Sequence, residues 1–114
     1  MSSATLNDLL SAGCKPLPKG STCLSQPETK ALLVLLPDWK LSEDKKFISR
    51  NFKLKNYYET MSFVNAAAWI SHQQDHHPDI LLTYNHCHIT YSTHSVDGLS
   101  RNDFICAAKT DQLG

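Results

Sequence analysis

The order of helix-like and strand-like segments is the feature that most constrains the fold of this chain. Residues 26–36, 57–72 and 100–112 have helical patterns, whereas residues 39–41, 47–55, 80–84 and 87–93 read as strands. The strands come in two pairs with short connections, which favours antiparallel hairpins. The order α-β-β-α-β-β-α therefore predicts an α+β fold, a four-stranded antiparallel sheet with helices packed on one face.

Polar residues before the first two helices support these boundaries. Ser25 followed by Glu28 is a capping-box pair, and Asn56 followed by Glu59 is a similar signal for the helix over 57–72. In that helix, apolar spacing predicts one core-facing stripe formed by Tyr57, Met61, Val64 and Ala68, widened by Phe63, Ala67 and Ile70.

The strand over 87–93 divides its side chains between two faces. One face carries Cys87, Ile89, Tyr91 and Thr93, and the other carries His88, Thr90, Ser92 and His94. The histidine-bearing face is the one that leans towards solvent. If helices cover only one side of the sheet, self-association of the chain could cover the other.

Length and charge limit the class of protein. A chain of 114 residues suits one domain with a single core. The formal net charge is zero, so a basic surface for nucleic acid is not expected. No apolar run is long enough to span a bilayer, and the start of the chain lacks a signal-peptide pattern. We therefore predict a cytoplasmic protein that binds neither nucleic acid nor membrane.

Glycine, proline and serine punctuate the first 23 residues, apart from one possible helical turn at Leu6, Leu9 and Leu10. The pattern predicts a flexible N-terminal arm over 1–23 and a folded domain over 24–114. The four cysteines are Cys14, Cys23, Cys87 and Cys106. They form no C-x-x-C pair, so reduced thiols are expected, with an occasional disulfide or metal contact in the arm left open.

All six histidines lie between residues 72 and 94. Such a cluster points to proton transfer or metal binding near neutral pH. His76 and His77 fall at a helix-to-strand corner and His94 at a strand end, where catalytic groups collect. Neighbouring imidazoles disfavour each other's protonation, so one can serve as a neutral base while another is a cationic acid.

Two other interpretations of the histidines stay open. His72 and His76 have i, i+4 spacing, and His86 and His88 share a strand face, so a zinc site is an alternative, although no H-E-x-x-H motif is present. Each histidine could also be structural, as His72 near a helix C-terminus suggests.

Asp103 likewise has two interpretations. With Ser100 three residues earlier it completes a capping-box-like pair at the start of the last helix. Its carboxylate could equally belong to the functional site. The spacing alone does not separate the two.

A longer motif runs through the histidine region and strongly resembles the pterin-4a-carbinolamine dehydratase family. The family pattern falls without a gap on His72, His76-His77-Pro78, Tyr84, His94 and Asp103. Similarity extends back to the first helix at Leu24 and so covers about four-fifths of the chain. The ending over 107–111 looks like the bacterial branch associated with phenylalanine hydroxylase.

The resemblance implies an enzyme, a hydro-lyase that removes water from 4a-hydroxytetrahydrobiopterin to give quinonoid dihydropterin in tetrahydrobiopterin recycling. It implies His77 as the principal acid/base group, with His76 and His94 assisting and Asp103 holding a histidine in its working tautomer. The substrate-binding residues that it implies are His76, His77, Pro78, Thr93, His94 and Ser95. It also implies no cofactor and no metal.

The resemblance further implies a homodimer or homotetramer and a functional link to an aromatic amino acid hydroxylase. Two other functions remain as alternatives. Some family members also act as interaction proteins that stabilise dimers of a transcription factor. A histidine-rich metal-binding protein is the other alternative.

Overall fold

A computed structural model describes the chain over residues 4–114. Four helices, four strands and one 3-10 turn follow one another in this part of the chain. They are helix α1 (Leu6–Ser11), helix α2 (Gln26–Leu33), strand β1 (Lys40–Leu41), strand β2 (Ile48–Lys53), helix α3 (Tyr57–Gln74), strand β3 (Asp79–Leu82), strand β4 (His86–Tyr91), the 3-10 turn (His94–Val96) and helix α4 (Arg101–Asp111). From α2 onwards the helices and strands follow the predicted order.

The strands form one antiparallel sheet in the order β1-β2-β4-β3. Strand β4 is central, since Ile89 lies opposite Arg50 of β2 and opposite Ile80 of β3. The helices pack on one face, where Cys87, Ile89 and Tyr91 are fully buried. The other face carries His88, Thr90 and Ser92, which stay partly exposed. The predicted α+β fold is confirmed, as is the division of β4 into a buried and an open face.

Helix α2 begins where the sequence predicts and ends early. The Ser25 N–H donates to Glu28 Oε1 at 2.9 Å, and the Glu28 N–H donates to Ser25 Oγ at 3.3 Å, so the capping box is present. The helix was expected to run to residue 36 and stops at Leu33. Because proline disfavours helical backbone in the residue before it, the chain tightens into 3-10-type bonds ahead of Pro37.

The buried stripe of α3 differs from the predicted one. The buried residues are Thr60, Phe63, Ala67 and Ser71. Tyr57 is half exposed and Ala68 is exposed, so the helix is rotated by about one residue from the predicted orientation. Two hydroxyls become acceptable in the core because each has an acceptor: Thr60 donates to Tyr84 O and Ser71 to Ala67 O. An apolar-spacing argument does not detect polar residues that are satisfied in this way.

The helix α3 has 18 residues and is the longest in the structure. Across residues 4–114, no helix joins the length and the apolar character needed to cross a membrane.

The N-terminal arm, which the sequence predicts to be flexible, packs against the core in its described part, residues 4–23. Helix α1 has a capping box between Thr5 and Asp8, and its Leu9 is fully buried against the core. Lys109 Nζ of α4 donates to Leu10 O at 2.8 Å. The proline and glycine residues that suggested disorder instead form the extended connection from α1 to α2.

Replacing Leu9 by alanine is expected to lower the free energy of unfolding by about 2–4 kcal/mol, because a buried leucine is removed and a cavity remains. Leu6→Ala is the matched control, since Leu6 is 39% exposed where Leu9 is fully buried, and its loss should change stability by less than about 1 kcal/mol. Urea denaturation of both variants makes the comparison. Equal, small effects would mean that the arm does not contribute to the core.

Candidate active site

A cleft of about 280 Å³ opens on the face of the sheet that the helices leave free. We call it the histidine cleft. Its lining residues are Lys46, Phe47, His77, Asp79, Thr90, Ser92, His94 and Asp97. It therefore joins the corner before β3, the end of β4 and the turn before β2, three segments that are distant in sequence.

His77 reaches the cleft because of how α3 ends. Asp75 has a left-handed backbone with φ of 49°, and the His76 N–H donates to Ser71 O at 3.1 Å. This left-handed cap stops the helix and turns the chain towards β3. Pro78 then keeps the backbone of His77 extended. The two adjacent histidines consequently point to different places, and only His77 lines the cleft.

His94 is placed by a tight turn after β4. The Thr93 N–H donates to Gly98 O at 2.8 Å, and the intervening residues form the 3-10 turn His94–Val96. Asp97 closes the turn with a left-handed backbone, φ of 48°. The His94 side chain is exposed and lines the same cleft as His77. The structure thus brings together two imidazoles that are 17 residues apart in sequence.

His76 lies behind the cleft in a largely buried pair with Asp103. His76 Nε2 and Asp103 Oδ1 are 2.6 Å apart, and 13% of the His76 side chain is exposed against none of the Asp103 side chain. The His76 ring stacks on Tyr91 with ring centroids 6.0 Å apart and an angle of 8° between planes. A carboxylate can only accept here, so Nε2 carries the proton and the ring orientation is set.

The Asp103 carboxylate accepts two further hydrogen bonds. Thr93 Oγ1 donates to Oδ2 at 2.7 Å, and the Ser100 N–H donates to the same oxygen at 2.9 Å. Thr93 Oγ1 and Ser100 Oγ are also 2.7 Å apart. Asp103 is therefore both a helix cap and a partner of His76, so the two interpretations of this residue do not exclude each other.

These hydrogen bonds link two segments that carry histidines, the corner at His76-His77 and the turn at His94. Thr93 directly precedes His94, and Asp103 bonds to both Thr93 and His76. The bonds also occupy the Thr93 hydroxyl, which is buried and donates to Asp103 rather than pointing into the cleft. The Thr93 N–H and carbonyl are bonded within the turn. The sequence predicts that Thr93 binds substrate; in the structure its hydroxyl bonds to Asp103 and its backbone groups bond within the turn.

The pair shifts the acid–base behaviour of His76. Burial lowers the pKa of His76, but the hydrogen bond to Asp103 and the negative charge of that carboxylate raise it more. The pKa of His76 therefore lies above its ordinary value of 6.5. Protonated His76 stabilises the fold. Its contribution is complete below about pH 6.5, the unfolded value, and is lost as pH rises through the higher folded pKa.

Asp103→Asn is expected to lower the pKa of His76, because the charged acceptor is lost while burial of the ring remains. Titration of the His76 Cε1–H signal by NMR, in the unmodified chain and in the variant, measures this. An unchanged His76 titration in the variant would contradict the assigned pair.

The remaining predicted site residues are placed differently. Pro78 is half-buried at the corner, and Ser95 is exposed in the 3-10 turn; neither lines the cleft. Six lining residues were not among the predicted site residues, namely Lys46, Phe47, Asp79, Thr90, Ser92 and Asp97. Alternation from Pro78 into β3 places Asp79 on the open face and could have revealed it. The 2.9 Å ion pair of Lys46 with Asp97 joins residues 51 apart and leaves no local signal.

The histidines proposed as metal ligands do not converge. His86 Nδ1 is 2.8 Å from Asn51 Nδ2, and the His72 ring packs on Trp69, so these two side chains lie apart. Within residues 4–114, no three histidine, cysteine, aspartate or glutamate side chains are arranged to hold a metal ion.

A polar cleft that holds two imidazoles on the open face of a sheet can bind a small ligand and exchange protons with it. Comparison with known proteins specifies the family. Residues 22–113 match the sequence model of the family described as pterin 4 alpha carbinolamine dehydratase. The chain therefore belongs to the pterin-4-alpha-carbinolamine dehydratase family, and the resemblance in the His-His-Pro motif is confirmed.

Individual relatives agree with this assignment. A protein of Nitrosomonas eutropha, provisionally named pterin-4-alpha-carbinolamine dehydratase, is 52% identical over 107 residues, which cover 93% of each chain. A protein of Stenotrophomonas maltophilia with the same provisional name is 48% identical over 96% of this chain and 95% of its own. The crystal structure of a transcriptional coactivator/pterin dehydratase from Brucella melitensis superposes with a TM-score of 0.77 and 29% identity, covering 81% of this chain and 98% of that one.

Proposed function

We propose that this protein is a 4a-hydroxytetrahydrobiopterin dehydratase that works by histidine acid/base catalysis in tetrahydrobiopterin recycling. The observation that carries the proposal is the pair His77 and His94 in one polar cleft of a chain that belongs to this family. The proposal needs only groups that donate and accept protons, and imidazole does both near neutral pH.

Each turnover moves two protons. A cationic imidazole donates a proton to the 4a-hydroxyl, the C4a–O bond breaks, and water leaves. A neutral imidazole accepts the proton of the adjacent ring nitrogen, so that a carbon–nitrogen double bond forms. We assign His77 to the hydroxyl and His94 to the ring nitrogen. The two imidazoles exchange their protonation states in one turnover and are restored through solvent.

His76 and Asp103 have a positioning role in this proposal. Their 2.6 Å contact fixes the corner from which His77 projects, and the Thr93 hydroxyl bond to Asp103 fixes the turn that carries His94. Because reacting groups must be held to a fraction of an ångström, a rigid support behind both histidines favours catalysis. Asp79 and Lys46 supply a carboxylate and an ammonium group at the cleft, which suit the amide-like edge of a pterin ring.

The test is the absorbance decay of 4a-hydroxytetrahydropterin, generated in the cuvette by a hydroxylase, with and without this protein. Fast decay that does not change on adding a chelator is the expected result and would establish a dehydratase that needs no metal. Decay at the uncatalysed rate would exclude the proposed activity. Activity abolished by chelator and restored by zinc would replace the acid/base mechanism with a metal-dependent one.

We further propose that the chain forms a homodimer or homotetramer and acts next to an aromatic amino acid hydroxylase in metabolism. Support for the assembly comes from large apolar side chains that remain more than half exposed, namely Val34, Tyr57, Tyr58, Trp69, Leu81 and Tyr84. Sedimentation equilibrium decides between monomer, dimer and tetramer. The cytoplasmic location stays a prediction from the sequence.

A further inference from the structure

We propose that Cys14 and Cys106 form a dithiol site that is converted to an intramolecular disulfide by low-molecular-weight disulfides and so clamps the N-terminal arm to α4. The two Sγ atoms are 3.5 Å apart, although the residues are separated by 92 positions. This site lies outside the histidine cleft, and the inference does not depend on the proposed activity.

Hydrogen bonds of Cys14 and of the next residue, Lys15, hold the arm beside Cys106. The Cys14 N–H donates to Gln74 Oε1 at 2.8 Å. The Lys15 N–H donates to Asn102 Oδ1 at 3.1 Å, and Asn102 Nδ2 donates to Lys15 O at 2.9 Å. The arm is thereby bonded to the end of α3 and to the first turn of α4. Closing the sulfurs to a bond of about 2.05 Å requires a movement of about 1.5 Å.

The two thiols differ in access and in acidity. Cys106 is fully buried, whereas Cys14 is half-buried and is the thiol that a small reagent can reach. The hydrogen bond from the Cys106 thiol lowers the pKa of Cys14, burial opposes this, and the nearby His76 charge lowers it again. The pKa of Cys106 is raised by the same contact and by burial. Cys14 is therefore the attacking thiolate and Cys106 the second, resolving thiol.

The exchange has two steps that balance. The Cys14 thiolate attacks one sulfur of the small disulfide, forms a mixed disulfide and releases one thiolate. That thiolate takes the proton of Cys106, whose sulfur then attacks Cys14 Sγ and releases the second small group as a thiolate, which takes up from solvent the proton that Cys14 had lost. Two protein thiols are oxidised to one disulfide, and one small disulfide is reduced to two thiols.

The other two cysteines do not compete for this bond. Cys23 is exposed beside Gly98, and Cys87 is buried in the centre of the sheet; among residues 4–114, the sulfur–sulfur hydrogen bond is that of Cys14 with Cys106. Cys14 lies in the arm, before the match to the family model begins at residue 22, so the pair joins the arm to the matched domain. Reducing conditions keep thiols free, so the clamp would close only when small disulfides accumulate.

The experiment treats the full chain with oxidised glutathione, alkylates the remaining thiols and maps the peptides by mass spectrometry. The expected product has a Cys14–Cys106 disulfide, which lowers the mass of the chain by about 2 Da before alkylation. The two other thiols are then alkylated. Because the closed loop is long, the melting temperature should rise by roughly 10 °C and return on reduction with dithiothreitol. Cys23→Ser should behave like the unmodified sequence, and Cys14→Ser should lose both the disulfide and the shift.

Three results would overturn the proposal. These are a stable glutathione adduct on Cys14 that Cys106 does not displace, a disulfide from Cys14 to Cys23, and a Cys14–Cys106 disulfide that leaves the melting temperature unchanged. Cys14→Ser is preferred over Cys106→Ser because Cys14 is half-buried and its replacement disturbs the core least. All readouts are independent of dehydratase activity, so this proposal and the proposed function fail separately.

Discussion

Replacing His77 by alanine is expected to lower kcat for 4a-hydroxytetrahydropterin dehydration by about 10²- to 10⁴-fold, the usual contribution of a positioned acid/base group. His77 lies in the histidine cleft, whereas its neighbour His76 is held by Asp103 and cannot take its place without breaking that pair. The loss should appear in kcat and kcat/KM alike, because the proton is transferred only in the transition state. Absorbance decay measures both parameters.

His88→Ala is the matched control for this prediction. The His88 side chain projects from the same open face of β4 but lines a separate groove near Asn51. The His88→Ala variant tests whether loss of a histidine from the open face of the sheet, but outside the histidine cleft, also lowers activity. Equal losses for His77→Ala and His88→Ala, or full activity of His77→Ala, would be incompatible with the assigned role of His77.

Asp103→Ala is expected to cost about 3–5 kcal/mol of unfolding free energy, the usual effect of removing one partner of a buried charged pair. The carboxylate has no exposed surface and accepts from His76, Thr93 and the Ser100 N–H, so three donors lose their partner together. Activity should also fall, since both histidine segments lose their common support. Urea denaturation and the dehydratase assay on the same sample measure the two effects.

Two further variants distinguish the loss of the Asp103 hydrogen bonds from the general effect of removing a negative charge. Asp38→Ala removes an exposed carboxylate 3.7 Å from Arg50 and should change stability by less than about 0.5 kcal/mol. Asp103→Asn keeps the size of the side chain and one acceptor oxygen, so we expect a loss smaller than that of Asp103→Ala. If Asp103→Ala were as stable as Asp38→Ala, the Asp103 hydrogen bonds would not hold the site together.

The sequence alone determined the features that depend on short-range physics. The Ser25–Glu28 capping box, the alternating faces of β4 and the helix-to-strand corner at Pro78 involve residues within a few positions of one another. Such features need only local hydrogen bonds and backbone geometry, so they can be predicted from spacing. The His-His-Pro motif also placed the chain in its family, because residue identities and spacing can be compared without knowing the fold.

Only the tertiary structure decided which distant residues meet. It rotated α3 so that Thr60 and Ser71 face the core, packed Leu9 of the arm against that core and turned the Thr93 hydroxyl inward. It also separated the adjacent histidines, pairing His76 with Asp103 and leaving His77 in the cleft with His94. Which distant residues meet depends on the strand order and on the partners available to each buried polar group. Local spacing determines neither of these two features, because both are set only when the whole core has formed.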